Sequence, residues 1–284
     1  MAFIKKTVFI VLAILVLWVL VAPGCMTFRI TDEKAIRKFS EKGLELKTQY
    51  LKLGDRAIHY VMVGSDTLPT LILIHGSPSS WNSFTAYLDD PNLLQHFRII
   101  AIDRPGFGFS DFGKPLHLDE QLNCLMGVIE STKNGKPIYL AGHSLGAPLA
   151  IKMAASAPEL FNAIMLISAS VSPELEPKEY WRYVMEKFPL NHLLPGSFRA
   201  SNTELLFFKE DVKKLVDDFP EVKCAVYLVH GEKDSWVPPE NVAFARDHLV
   251  NASHIETLML PGNHFIPWTK KSMIIEEMIR MKNQ

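Results

Sequence analysis

At 284 residues, with 48% hydrophobic and 21% charged side chains, the chain suffices for one large core and is short for two independent domains. A formal net charge of -1 gives no electrostatic footprint for nucleic acid. Cys25, Cys124 and Cys224 form no C-x-x-C pair and the histidines lack zinc-site spacing, so neither a disulfide framework nor a bound metal is expected.

Residues 1–25 read as a segment of their own. Lys5 and Lys6 precede an almost wholly apolar run over 7–22, the order of a charged n-region and an apolar h-region. Val21-Ala22-Pro23-Gly24-Cys25 is similar to a bacterial lipoprotein signal, in which Cys25 becomes the lipidated first residue. Pro23 departs from that pattern, which usually has a small residue there. Left uncleaved, the same run is long enough to span a bilayer, with Trp18 near one interface. Either route predicts a membrane-associated protein, extracytoplasmic if the leader is read in the usual sense. Arg29, Lys34, Arg37 and Lys38 compete with Lys5 and Lys6 for the cytoplasmic side, so charge count leaves orientation open. Residues 26–45 are a polar connector with helical leanings over 31–42, expected to stand the rest off the membrane.

Next, β-prone segments at 46–53 and 57–63 flank Gly54-Asp55, a hairpin signal. A buried strand over 71–73 runs into His75-Gly76-Ser77-Pro78, and 81–88 reads as a helix. The strand over 97–102 ends in Asp103-Arg104-Pro105-Gly106-Phe107-Gly108, a turn read as architectural. Helical period over 119–134 stops at Gly135. A strand over 137–141, Gly142-His143-Ser144-Leu145-Gly146, a helix over 148–157 and a strand over 161–167 follow. Regular alternation from residue 70 predicts a mostly parallel sheet covered on both faces. Residues 171–224 break the rhythm and place Tyr180, Trp181, Tyr183, Phe188, Phe198, Phe207, Phe208 and Phe219 among charges. Strands over 226–229 and 257–260 and helices over 240–249 and 269–282 complete the chain.

Two glycines around Ser144, with a strand before and a helix after, describe a nucleophile elbow, a turn tight enough to lift the hydroxyl above the sheet. The plainer reading is a Ser that caps a helix. His230-Gly231-Glu232-Lys233-Asp234 and Pro261-Gly262-Asn263-His264 each leave the carboxyl end of a strand, where ligand crevices form in open parallel sheets. A carboxylate and an imidazole there, in the order Ser, Asp, His, match what a Ser hydrolase of this architecture requires.

On these residues the chain resembles the α/β-hydrolase family, specifically its small capped esterase-like members, from about residue 45 to the C-terminus. The resemblance implies an α/β fold with a mostly parallel, doubly wound sheet. Its core would lie in 46–170 and 225–284, with a small helical cap inserted at 171–224. The cap aromatics would wall an apolar pocket or bind cap to core. Ser144 would be the nucleophile, His264 its base and Asp234 the orienting acid, with Glu232 as the rival carboxylate. Backbone amides of Leu145 and Ser77 would form the oxyanion hole, since His75-Gly76-Ser77-Pro78 is similar to the family's H-G-x-P loop. His75, His143 and His230 read as structural. Relatives that open epoxides or remove halides attack through a carboxylate at the elbow, and Ser144 stands in its place. The expected activity is therefore cofactor-free hydrolysis of carboxylic esters with small or medium apolar acyl groups, a small-molecule acyl substrate. Acyl transfer, perhydrolysis or C–C hydrolysis could use the same triad. A non-catalytic, membrane-anchored binding module is the alternative of another class.

Overall fold

Eight strands form a sheet: β1 (Lys47–Leu53), β2 (Arg56–Val63), β3 (Thr70–Ile74), β4 (Arg98–Ile102), β5 (Ile138–His143), β6 (Ala163–Ile167), β7 (Ala225–Gly231) and β8 (Ile255–Leu260). The structure is a computed structural model and describes residues 2–283. Met1 and Gln284, the outer limits of the predicted 1–25 and 225–284 segments, lie outside the described residues. Strand order is β1-β2-β4-β3-β5-β6-β7-β8. The β1–β2 and β2–β4 pairs are antiparallel, and every pair from β4 to β8 is parallel.

The helices are α1 (Ala2–Val21), α2 (Asp32–Ser40), α3 (Thr85–Leu88), α4 (Pro91–His96), α5 (Leu118–Thr132), α6 (Gly146–Ser156), α7 (Tyr180–Met185), α8 (Gly196–Leu215), α9 (Glu240–His248), α10 (Ile266–Thr269) and α11 (Lys271–Lys282). The segment expected as one helix over 81–88 is a 3₁₀ turn, Trp81–Phe84, running into α3. The predicted helix over 269–282 is α11 from Lys271 onward: Thr269 ends the short α10, and Lys270, with φ at -125°, breaks the helix between the two. Helix α4 carries too few periodic residues to be seen in sequence; Asp90 caps it, with Pro91 at its first turn.

Period-2 alternation splits the strand residues between two cores. Ile72, Ile74, Ile100, Ile102, Leu140 and Leu228 face α5, α6 and α8. Leu71, Leu73, Ile99, Ala101, Met165 and Val229 face the other side, with Phe39 of α2 and Ile274 and Met278 of α11. Strands buried on both faces need uninterrupted apolar runs, as β3 and β4 have. Each fully buried Ile or Leu contributes about 1.5–3 kcal/mol. Edge strand β8 pairs only with β7, and most of it is half-buried.

The connector does not stand off. Ala35 and Phe39 of α2 are fully buried, and Asp32 reaches His59 at 3.1 Å, because the amphipathic turn after Thr31 has an apolar face to cover. The 171–224 segment holds α7, a 3₁₀ turn (Leu190–Leu193), α8 and a second 3₁₀ stretch (Val216–Glu221). Its aromatics divide. Phe208 and Phe219 join the main core, Phe207 lies against His117, and Tyr180, Trp181, Tyr183 and Phe188 are exposed. Cys124 and Cys224 are free thiols. Helix α1 is exposed, and the run Phe3–Gly24 has mean hydropathy 2.7, long and apolar enough to cross a membrane by length and composition.

Candidate active site

Strand β3 lies between β4 and β5, so the connections leaving β3 and β5 diverge and open a crevice at their carboxyl ends. Ser144 sits there, immediately past β5, with φ at +54°. A left-handed backbone is costly for a residue with a Cβ. Here it is held by the Ser144 amide donating to the Ile167 carbonyl at 2.9 Å and by the Ala147 amide donating to the Ser144 carbonyl at 3.0 Å. The glycines make the turn possible. A Cβ on Gly142 would strike the Gly146 carbonyl, and one on Gly146 would strike the Ile74 carbonyl. The hydroxyl is therefore presented at the sheet edge rather than used as a helix cap; α6 shows no side-chain cap bond.

The Ser144 Oγ lies 3.0 Å from His264 Nε2, and His264 Nδ1 lies 2.7 Å from Asp234 Oδ2. With the proton on Nδ1 donated to Asp234, Nε2 accepts the Ser144 hydroxyl. Asp234 Oδ1 accepts the amides of Trp236 and Val237 at 3.0 and 2.9 Å. Burial alone would raise the Asp234 pKa, but the hydrogen bonds from His264 and Val237 outweigh it and lower the value. The loops carrying the two residues are stitched together by Glu232 N–H to Leu260 O and Lys233 N–H to Gly262 O, both at 2.9 Å. Gly231 allows that approach, since a Cβ there would lie 2.6 Å from the Asn263 carbonyl. Glu232 is exposed, outside the hydrogen-bonded chain.

Gly76 brings the loop after β3 against the elbow: a Cβ there would be 2.9 Å from the Ser144 Cβ. Among the described residues the amides of Ser77 and Leu145 donate to no protein acceptor, so both are available to a substrate oxygen. The three histidines read as structural are packed as such. His75 Nδ1 donates to the Gly76 carbonyl at 2.7 Å while Nε2 accepts the Arg104 amide at 3.0 Å; burial, then the Arg104 charge, hold its pKa well below normal. His143 packs 4.9 Å from the His264 ring, and burial, then His264, bring its pKa down to about 3. His230 Nε2 donates to the Val237 carbonyl at 3.0 Å, and burial lowers its pKa. Burial works against a positive charge on each of these three rings, and Asp234 is the carboxylate bonded to the His264 ring.

Several neighbours carry no motif. Trp236, Phe265 and Trp268 form an exposed aromatic rim, with the Trp236 ring 5.5 Å from His264 and 5.0 Å from Phe265. Their signal in sequence was proximity alone, within four residues of Asp234 or His264. Ser168, just past β6, has a buried hydroxyl without a partner among the described residues. Arg104 faces the inserted helix, not the crevice. Its guanidinium donates to Glu204 of α8 at 2.6 and 3.0 Å, to Gln121 at 3.1 Å and to the Gly76 carbonyl at 3.2 Å. Asp103 fills the architectural role expected of its turn, accepting the amides of Trp81 and Phe109 at 2.8 and 2.9 Å. Cys25 is half-buried at the start of the strap that follows α1.

A family model described as alpha/beta hydrolase fold matches residues 69–192. Over 123 residues the chain is 33% identical to epoxide hydrolase 1 of Caenorhabditis elegans, a match covering 42% of this chain and 29% of that protein. It is 25% identical over 243 residues to a pimeloyl-(acyl-carrier protein) methyl ester esterase of Nitrosospira multiformis, covering 70% of this chain and 89% of that one. Among solved structures, the enol-lactonase from Burkholderia xenovorans LB400 superposes with a TM-score of 0.68 at 15% identity, over 83% of this chain and 100% of that chain. These likenesses agree with the observed sheet order and its helical covering.

Proposed function

As a member of the α/β-hydrolase fold family, this chain is, we propose, a serine hydrolase that works through an acyl-enzyme, acting on carboxylic esters with small or medium apolar acyl groups. One observation carries the reading: a strained, buried Ser144 within 3.0 Å of an imidazole whose other nitrogen is 2.7 Å from a buried carboxylate. Ser144 attacks the ester carbonyl while His264 Nε2 takes its proton. The tetrahedral oxyanion settles against the Ser77 and Leu145 amides, each such donor contributing about 3–4 kcal/mol. Collapse expels the alkoxide, which receives the proton from His264 and leaves as the alcohol. Water then repeats the sequence on the acyl-enzyme, with His264 again as base, and releases the acid. Asp234 fixes the His264 tautomer and balances the transient imidazolium.

The matched epoxide hydrolase does not redirect this reading, because the elbow residue here is a hydroxyl and not a carboxylate. Transfer to an alcohol or peroxide, or C–C cleavage, would use the same residues and differ in substrate. The binding-module alternative expects a broken triad or a blocked oxyanion loop, and the geometry favours neither. The aromatic rim of Trp236, Phe265 and Trp268 suits an apolar acyl or alcohol group. Attachment to a membrane, on the extracytoplasmic side, is proposed through α1 or through a lipid on Cys25. Incorporation of labelled palmitate that Cys25→Ser abolishes would select the lipid. A fluorophosphonate probe tests the chemistry: it should label the purified chain, and Ser144→Ala should end the labelling. Persistent labelling of Ser144→Ala would move the nucleophile elsewhere and sink the proposal.

A further inference from the structure

Helix α7 and the turn after it show an apolar face that nothing among the described residues covers. Tyr180, Trp181, Tyr183, Val184 and Phe188 are all exposed, Tyr180 by 71% and Phe188 by 81%. Five neighbouring large side chains left in water need a partner. Their position says which. The 3₁₀ turn Leu190–Leu193 touches both α7 and α1, and Trp18 near the end of α1 donates its indole N–H to the Leu193 carbonyl at 2.9 Å. The Phe188 ring lies 5.5 Å from that of His192 in the same turn. The exposed face is thus continuous with the carboxyl end of the apolar helix.

The strap after α1 fixes this arrangement. The Ser197 amide and hydroxyl donate to the carbonyls of Met26 and Thr27 at 3.2 and 2.8 Å, and the Cys25 carbonyl abuts Gly196. A spanning α1 and a lipid on Cys25 would therefore bring a bilayer to the same flank of the inserted segment. Charge on that flank also fits. Glu179 is paired with Arg182, and Glu186 accepts from Asn202 and Thr203. Lys178 and Lys187, at either end of the face, are exposed and pair with no carboxylate among the described residues. Tyr and Trp rings with flanking lysines match the interfacial zone of a bilayer, where an apolar body and a polar tip are both satisfied.

We propose that Tyr180, Trp181, Tyr183, Val184 and Phe188 form a lipid-contacting surface that lies in the headgroup region of the bilayer holding the N-terminal segment. The inference rests on the membrane attachment proposed above but not on the triad chemistry. It is tested with the full chain, one copy per phosphatidylcholine nanodisc, with and without lipids brominated near the headgroup end of their tails. Trp181→Phe and Trp18→Phe, both conservative, isolate the emission of each indole by difference. The Trp181 component is expected to fall about twofold in brominated lipid, as befits a ring roughly 5–10 Å into the interface, and to be shielded from iodide in the water. If the Trp18 component is quenched while the Trp181 component is not and iodide still reaches it, the surface faces water and the inference is overturned. If Trp181 is shielded from both quenchers, a protein surface covers the face, which overturns it equally. Absence of Trp18 quenching in this uncleaved chain would instead mean that α1 does not enter the bilayer, and would overturn the inference at its premise.

Discussion

Glu204→Ala probes the join between the inserted helices and the core. The Glu204 carboxylate receives two N–H bonds from Arg104 and a third from Gln121 at 3.3 Å, and the paired side chains are 2% and 0% exposed. Truncation leaves a guanidinium without its counter-charge and out of water. Breaking a buried pair in this way costs about 3–5 kcal/mol. At about 2–4 °C per kcal/mol for a chain somewhat smaller than this one, the melting midpoint should fall by roughly 6–20 °C. The double change Arg104→Met with Glu204→Leu removes both charges and should recover most of that loss. Thermal unfolding followed by circular dichroism in detergent measures both variants. A loss below about 1 kcal/mol for Glu204→Ala, the level of an exposed pair, would refute the reasoning, because it would mean that Arg104 finds water as easily as it finds Glu204.

The remaining predictions concern the crevice. Asp234→Asn should lower kcat by about 10⁴ by favouring the wrong His264 tautomer, whereas Glu232→Gln should leave ester turnover unchanged; the reverse pattern would transfer the acid's role. Gly76→Ala places a Cβ 2.9 Å from that of Ser144 and should cost at least about tenfold in kcat while the fold persists; wild-type kcat would show that the loop yields freely. Acid sensitivity follows from His143, whose pKa of about 3 in the fold lies below the ordinary imidazole value of 6.5. Below pH 6.5 the unfolded chain takes up a proton that the folded chain refuses until about pH 3, so stability falls with falling pH across that window. The loss from His143 alone is on the order of 3 kcal/mol at pH 4.5. His143→Gln should flatten the decline of melting temperature between pH 7 and 4.5, and an undiminished decline would assign it to other groups.

The fold was legible because the strands that form its centre are buried on both faces: β3, β4, β5 and β7 are apolar through their middles, with polar residues only at or next to their ends. The three proposed site residues were singled out for a related reason. Ser144, Asp234 and His264 lie in the loops at the carboxyl ends of β5, β7 and β8, so reading strand ends named them together, although β8 is an edge strand. What stayed hidden depends on packing between distant segments. Nothing near Arg104 points to Glu204, a hundred positions along. The charged stretch over 31–42 looked like a spacer because its apolar face is only Ala35 and Phe39, too few to register as periodicity. The aromatics of 171–224 look alike in sequence, yet Phe208 and Phe219 enter the core while Trp181 and Phe188 do not, a division set by how α7 and α8 lie on the sheet. Trp236 and Trp268 belong to no motif; only the folded loops bring them to the imidazole.

Edge strand β8 has one neighbour and little burial along most of its length, and the loop leaving it carries His264. Local opening free energies in a protein range from near zero to the global value, and poorly covered edges fall toward the lower end. Loosening of β8 would draw the imidazole away from Ser144, and it would touch the core first at Leu260 and at Ile266 beyond the loop. Loss of turnover and loss of the fold need not then fall at one temperature in this chain, and the loop beyond β8 is where the two would part.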